Sequence, residues 1–178
     1  MVFRKVDAYT QQLSTSQIIQ LPREDVFEFF KDPRNLSEIT PAWLQFRMLD
    51  HAAGERVFEG AEYDYSIKWL PWLGRTKWRS RIVRYLPPER FTDIQVIGPY
   101  TSWEHLHTFE DVSEGTCMND VVTYRLPFGL LGNCAHSILI RRQLEDIFSY
   151  RAVRISEWAS GEFTRKDNQR LKRPRQNI

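Results

Sequence analysis

The central part of the chain alternates apolar and polar residues with a period of two, which is typical of half-buried β-strands. This pattern predicts six strands, at about 44–49, 61–68, 76–85, 90–97, 102–110 and 116–125. Turn residues separate them, among them Pro87-Pro88, Gly98-Pro99 and Glu114-Gly115. Because the links are short, we expect consecutive strands to pair side by side in an antiparallel meander.

Helical patterns flank this meander on both sides. A further strand at about 16–21 leads into a short amphipathic helix over 22–30, and Asp32-Pro33 starts a second short helix. After the last strand, one long helix is predicted over 135–158. Its apolar residues share one face at 100° per residue, and this face must pack on the sheet: Ile140, Leu144, Ile147, Phe148, Ile155 and Trp158. The prediction is therefore an α+β fold with seven antiparallel strands.

Composition places this fold in a single domain. The chain has 178 residues, of which 42% are hydrophobic and 27% charged, so residues 1–160 are expected to form one domain. The segment 161–178 holds six Lys and Arg residues without apolar periodicity and is predicted to be a basic, disordered tail. A formal net charge of +2 is too balanced for a specific nucleic-acid binder. The N-terminus has no signal-peptide pattern, so a cytoplasmic location is expected.

The strand from Trp103 to Phe109 carries the first candidate chemistry. Its more aromatic face, expected to point inward, holds His105 and His107 between these two aromatic residues. If the turn at Gly98-Pro99 pairs Gln95 with Trp103, then Asp93 lies opposite His105, because antiparallel partners keep a constant sum of residue numbers.

The next hairpin adds a second carboxylate to this row. If its turn pairs Glu110 with Gly115, the same rule places Asp120 opposite His105 from the other side. The cluster then has three readings: a buried polar network that shapes a pocket, a general acid and base, or a metal site. We expect no metal, because His-x-His plus one carboxylate lacks a third neutral donor.

Other residues extend the same wall. Arg151 falls at the centre of the apolar face of the long helix, where it can reach a carboxylate or hold an anionic group by a bidentate contact. Snorkelling to the sheet edge is the alternative. Tyr124 shares the face of Asp120, and Tyr65 and Trp78 follow if the meander keeps its alternation, although core packing would explain all three.

Several segments resemble one known group of proteins. They are the stretch from Pro22 to Trp43, Phe91-Thr92-Asp93-Ile94-Gln95, the run from Trp103 to Phe109, the run from Asp120 to Gly129, and Ile147-Phe148-Ser149-Tyr150-Arg151. Together with the element order, they resemble the START and pollen-allergen-like superfamily, also called SRPBCC, and its bacterial polyketide cyclase/dehydrase-like branch. The resemblance implies a helix-grip fold, in which the long helix and a curved sheet enclose a cavity.

The resemblance also implies what the cavity does. Similar proteins bind lipids, sterols, polyketides or quinones, and a minority catalyse cyclisation or dehydration. We therefore expect a carrier or sensor of a hydrophobic small molecule that needs no cofactor. The second hypothesis is a cyclase or dehydratase that uses His105 with Asp93 and Asp120. The third is a protein or membrane interaction module.

Three apolar connections share one end of the predicted meander. They contain Trp69 and Trp72, Tyr100, and Phe128, whereas the connections at the other end are mainly polar. In similar proteins the apolar end is the cavity mouth, so these four residues are expected to form a gate or to touch a membrane peripherally. The sequence alone leaves the oligomeric state open.

Overall fold

The computed structural model describes residues 1–49, 57–69, 74–127 and 139–162. Eight strands and two α-helices lie within these ranges. In chain order they are β1 (Val2–Lys5), β2 (Thr10–Ile19), α1 (Arg23–Phe30), β3 (Arg47–Met48), β4 (Glu62–Ile67), β5 (Thr76–Leu86), β6 (Arg90–Ile97), β7 (Ser102–Val112), β8 (Gly115–Arg125) and α2 (Arg141–Ala159). Two short 3-10 helices, Pro33–Ser37 and Ala42–Leu44, connect α1 to β3.

All these strands belong to one antiparallel sheet, in the order β1-β2-β8-β7-β6-β5-β4-β3. The predicted meander from β3 to β8 is confirmed. Strand β2, from the N-terminal part of the chain, pairs with β8, the last strand of the meander. The sheet has eight strands where seven were predicted, because Val2–Lys5 forms an edge strand against β2. Four residues are too few to show a period, so the pattern gave no signal for β1.

The helices form where the sequence signals lie. Pro22 precedes α1, and Glu24 and Asp25 occupy its first turn, where carboxylates interact favourably with the helix dipole. The side chain of Asp32 accepts a hydrogen bond from the backbone of Arg34 and so starts the second short helix, which is a 3-10 helix. No helix in the described part of the chain is both long enough and apolar enough to span a membrane.

Helix α2 lies against the sheet as its apolar face predicts, with Leu144, Phe148 and Ile155 buried. The described helix begins at Arg141, and residues 135–138 of the predicted helix lie outside the described ranges. One buried cluster joins α1 and Ile155 to the sheet, and a second joins Leu144 and Phe148 to β2 and β8. This arrangement of one long helix held by an antiparallel sheet is the helix-grip fold.

The β7–β8 turn sets the register of the site. Gly115 has a φ of +133°, and a Cβ there would come 2.3 Å from the carbonyl oxygen of Ile19. A residue other than glycine is therefore excluded, both by the backbone conformation and by the close approach of β2. With Gly115 paired to Val112, the turn between them contains only two residues.

Candidate functional site

A cavity of about 200 Å³ lies between the sheet, α2 and the connection from α1 to β3. Its walls are mostly aromatic and aliphatic, as expected for a small-molecule pocket. Of the residues predicted for this site, those on the wall are Tyr65, Trp69, Trp78, Asp93, Tyr100, Trp103, His105, His107 and Arg151. The inward face assigned to β7 is confirmed, because His105 and His107 are buried whereas Glu104 and Glu110 are exposed.

Of the two hairpin registers predicted from the sequence, one is confirmed and the other is wrong. Asp93 pairs with His105, as predicted. The prediction that Asp120 pairs with His105 is wrong, because Asp120 pairs with His107 and Val122 takes the place opposite His105. The turn is two residues shorter than assumed. A shift of two residues keeps every side chain on the same face of the sheet, so Asp120 still reaches both histidines.

Asp93, His105, His107 and Asp120 form one buried cluster, called here the His–Asp cluster. Oδ1 of Asp120 lies 2.9 Å from Nε2 of His105 and 2.8 Å from Nδ1 of His107. On the other side of the rings, Oδ1 of Asp93 lies 3.4 Å from Nε2 of His107 and 4.0 Å from Nδ1 of His105. The two imidazole rings are tilted by 36° to each other, with centroids 3.8 Å apart.

Burial and charge give the two histidines opposite properties. Burial, reinforced by the charge of His107, lowers the pKa of His105 to about 4 despite its hydrogen bond with Asp120. Burial also acts on His107, but contacts with Asp120 and Asp93 outweigh it and raise the pKa of this residue. Within one buried cluster, the pKa of His105 is thus shifted downward and that of His107 upward.

Both carboxylates of the cluster remain ionised. Burial alone would raise the pKa of Asp93 and of Asp120. Hydrogen bonds and electrostatic interactions with the histidines hold both pKa values below the ordinary range instead. Ser80 adds to this effect by donating a hydrogen bond of 2.9 Å from Oγ to Oδ2 of Asp93.

Arg151 reaches the cavity from α2, as its place on the apolar face predicted. Its guanidinium lies over the ring of Phe148 at 4.9 Å, and burial lowers the pKa of Arg151. Nε is shut off from solvent and has no hydrogen-bond partner among the described residues. Asp93 and Asp120 attract the guanidinium electrostatically. The helix therefore offers a buried donor that no described residue of the protein uses.

Three predicted wall residues do not line the cavity. Gln95 folds back over the β6–β7 turn, where its side chain bonds to the backbone N–H and carbonyl of Tyr100. Tyr124 is fully buried and packs on the rings of Tyr100 and Trp103. Asp120 lies behind the histidines rather than in front of them, because the imidazole rings stand between it and the cavity.

The predicted mouth is described only in part. Nε1 of Trp69 donates to the hydroxyl of Tyr100 across 3.3 Å, and the two rings meet edge to face. Gln143 on α2 donates from its side chain to the backbone carbonyl of Trp69. These contacts join the β4–β5 link to α2 at this end of the cavity. The other two predicted mouth residues, Trp72 and Phe128, lie outside the described residues.

The sequence reading missed the wall between α1 and β4. This wall consists of Phe29, Phe30, Asp32, Pro33, Asn35, Leu36, Ile39, Thr40, Leu44, Phe46 and Val57. Most of them belong to 3-10 helices or connections, which have neither the period of a strand nor that of an α-helix. The available signal was the density of apolar residues between Pro33 and Phe46.

A second cavity of about 150 Å³ lies on the other side of the His–Asp cluster. It opens between β2 and α2 and reaches Asp120 and Met118 on β8. Arg151 and Phe148 border both cavities and therefore form a partition between them.

Solved structures with the same fold come from several bacteria. A protein from Thermus thermophilus matches with a TM-score of 0.64 at 16% identity, covering 85% of this chain and 98% of its own. The di-domain ARO/CYC StfQ from the steffimycin biosynthetic pathway matches with a TM-score of 0.66 at 15% identity, covering 87% of this chain and 52% of StfQ. At these identities the likeness shows the fold alone.

A third structure is more similar in sequence. The nucleoside-diphosphate sugar epimerase from Corynebacterium glutamicum is 27% identical, with a TM-score of 0.58. The match covers 82% of this chain but 28% of the epimerase, so it concerns one part of that protein. A search of curated proteins gave no match.

The family itself follows from a match over most of the chain. The family model described as polyketide cyclase / dehydrase and lipid transport covers residues 19–173. It includes every strand of the cavity wall, the His–Asp cluster and α2. The chain therefore belongs to the polyketide cyclase/dehydrase and lipid transport family, within the SRPBCC superfamily.

Proposed function

We propose that this protein binds a compact hydrophobic molecule that carries an anionic or strongly polar oxygen, as a carrier or sensor. The observation that carries the proposal is Arg151 at the wall of a mostly apolar cavity, with a buried Nε that has no hydrogen-bond partner among the described residues. Leaving a buried donor without a partner costs about 1–3 kcal/mol, so such a donor is normally satisfied. A ligand oxygen would satisfy it.

The cavity limits the size of the apolar part of the ligand. An apolar protein cavity of about 150 Å³ accommodates benzene, so about 200 Å³ suits one or two fused rings better than a lipid with two acyl chains. Trp78, Tyr100 and Trp103 meet edge to face or tilted at one end of this space, and their rings favour an aromatic or conjugated partner. Polyketides and quinones meet these requirements.

The polar end of the ligand would meet two kinds of groups. Arg151 offers charge-assisted hydrogen bonds, and His105 and His107 form the adjacent wall. The ligand is therefore expected to enter by the Trp69–Tyr100 end with its oxygen directed to the His–Asp cluster. We further propose that the protein is cytoplasmic and that its Trp69–Tyr100 end contacts a membrane peripherally.

Catalysis is the second candidate function. His105 and His107 are imidazoles on the cavity wall, each held by a carboxylate, which is how proton-transfer groups are oriented in enzymes. A cyclase or dehydratase acting on a polyketide-like substrate would use them with Asp93 and Asp120. Appearance of a cyclised or dehydrated product from a poly-β-keto probe, absent with His105→Asn, would favour this candidate. The cavity itself argues against a pure interaction module, which needs no internal space.

The test compares two naphthalene compounds, one with a carboxylate group and one in which this group is an uncharged methyl ester. We expect 2-naphthoic acid to bind more tightly than methyl 2-naphthoate, because only the acid offers an anionic oxygen to Arg151. Arg151→Met should weaken binding of the acid about ten- to hundredfold, the equivalent of a hydrogen bond to a charged group, and leave the ester unchanged. Titration calorimetry measures both affinities.

Arg142→Met serves as the matched control, because Arg142 lies on the same helix with an exposed side chain. It should change neither affinity. Equal binding of the acid by the wild-type protein and by Arg151→Met would overturn the role of Arg151. Failure of both compounds to bind, together with no small molecule in native mass spectra of the purified protein, would overturn the binding function itself.

A further inference from the structure

We infer that Asp93, His105 and His107 form a binding site for one divalent transition-metal ion, open to the cavity. One potential ligand atom from each residue lies within 4.8 Å of the other two. From the sequence, Asp93 is placed opposite His105 but no metal is expected, because a third neutral donor is lacking. In the structure the register of β6 against β7 brings the Asp93 carboxylate near both histidines, and a carboxylate oxygen is itself a suitable third ligand.

The distances are close to those of a bound ion. Oδ1 of Asp93 lies 3.4 Å from Nε2 of His107 and 4.0 Å from Nδ1 of His105. In a tetrahedral site with bonds of about 2.0–2.1 Å, ligand atoms are about 3.3–3.5 Å apart. One edge of the triangle already has this length. Small rotations of the His105 and Asp93 side chains would shorten the second distance, between Nδ1 of His105 and Oδ1 of Asp93, to the same range.

The groups behind the ligands give independent support. Metal-bound imidazoles usually donate their other N–H to a carboxylate, which fixes the ring and the tautomer. Here the far nitrogen of His105 is hydrogen-bonded to Oδ1 of Asp120 at 2.9 Å. The far nitrogen of His107 lies 2.8 Å from the same oxygen, but not in hydrogen-bond geometry. Oδ2 of Asp93 accepts from Ser80, which fixes the third ligand. Two of the three proposed ligands, His105 and Asp93, are thus held by hydrogen bonds to partners outside the triangle.

The charges also fit a dication. Asp93 and Asp120 carry two negative charges in a buried site, and with a dication bound and both imidazoles neutral they balance it. Arg151 then leaves one net positive charge at this end of the cavity. The open coordination position, which must face the cavity, would therefore take hydroxide or an anionic ligand oxygen. Such an ion would act as a Lewis acid toward a bound carbonyl group.

Two histidines and one carboxylate bind both Zn²⁺ and Fe²⁺ in proteins. The proposed site is therefore defined by these three donors and suits either ion. The test begins with full-length protein stripped of metal by a chelator. Calorimetry with Zn²⁺, anaerobic titration with Fe²⁺, and visible spectra with Co²⁺ should each give one site per chain. The ratio of the Zn²⁺ and Fe²⁺ affinities identifies the preferred ion.

Substitutions locate the ion. We expect Asp93→Asn and His107→Asn each to abolish the site, and Asp120→Asn to weaken it about ten- to hundredfold, as loss of an outer partner does. Glu104→Gln is the control, because Glu104 lies on β7 next to His105 but is exposed on the opposite face. It should bind like the wild type.

A measurement on the wild-type protein avoids any effect of the substitutions on folding. Nitrogen NMR shifts of the imidazoles should change on addition of Zn²⁺ for His105 and His107 together. Absence of binding by all three ions, or binding that persists in His107→Asn with unchanged affinity, would overturn the inference. Ligand binding by the naphthalene probes is measured without metal, so failure of either proposal leaves the other standing.

Discussion

The two faces of the central sheet use similar charged groups in opposite surroundings. On the outer face, a charge ladder pairs Glu62 and Asp64 of β4 with Lys77, Arg79 and Arg81 of β5. On the inner face, the His–Asp cluster pairs Asp93 and Asp120 with two histidines. Side chains of the ladder are 19–46% exposed, whereas those of the cluster are 7–17% exposed.

Burial decides what these pairs do. Water and salt screen the ladder, so each of its ion pairs adds little stability and can be exchanged with little effect. In the cluster, an ionised group without its partner would be strongly unfavourable, so the members depend on one another. The same carboxylate chemistry therefore forms exchangeable surface ion pairs on one face and an interdependent buried cluster on the other.

The largest difference should appear when one carboxylate is neutralised on each face. We expect Asp120→Asn to lower the free energy of unfolding by about 2–4 kcal/mol, because two buried imidazoles lose their charged acceptor. Asp64→Asn should cost about 1 kcal/mol or less, even though Arg79 holds Asp64 with two hydrogen bonds. Urea unfolding of the two variants measures both values. Equal losses would contradict the contrast between the faces.

A smaller effect of opposite sign is expected from Arg151→Met. Methionine has a similar length and needs no hydrogen bond, so the substitution removes the unpaired buried donor. We expect the free energy of unfolding of the empty protein to rise by about 1 kcal/mol. Arg142→Met, on the exposed side of α2, should leave it unchanged. A clear loss of stability in Arg151→Met would show that attraction by Asp93 and Asp120 outweighs the burial of the guanidinium.

The smallest effect is a pH dependence of the ladder. The hydrogen bonds from Arg79, with help from Lys77, hold the pKa of Asp64 below its ordinary value despite some burial. A lowered pKa stabilises the folded state above the pKa of the unfolded chain, about 3.9, and the gain is lost as the pH falls through the folded value. The stability difference between the wild type and Asp64→Asn should therefore be constant from pH 7 to 5 and shrink below about pH 4. A difference that grows on acidification would refute this assignment.

Much of the inner face could be predicted because side chains alternate between the two faces of a strand, so a register error of two residues leaves each side chain on its predicted face. The register of β7 against β8 was wrong by two residues, yet Asp120 still joined His105 and His107. An error of one residue would have moved it to the outer face. Arg151 could be placed for a similar reason, since helical angle depends on spacing alone.

The remaining parts of the site depend on contacts that have no period. Gln95 has the right parity for the cavity wall, but it turns to the backbone of Tyr100 because the turn leaves that N–H and carbonyl free. Whether Asp120 stands in front of the imidazoles or behind them depends on ring rotation, which the sequence does not encode. The wall formed by Leu36 and Ile39 lies on irregular backbone, outside the reach of pattern analysis.

The unused donor of Arg151 has a consequence for the lifetime of the protein in a cell. The cost of removing its guanidinium from water is part of folding, so the empty form is the less stable one and a ligand that binds there restores stability. A ligand present at one hundred times its Kd adds about 2.7 kcal/mol to the free energy of unfolding. Proteases act on the unfolded fraction, and a change of about 1–2 kcal/mol alters abundance severalfold. The amount of such a protein would then follow the supply of its ligand, without any change in its synthesis.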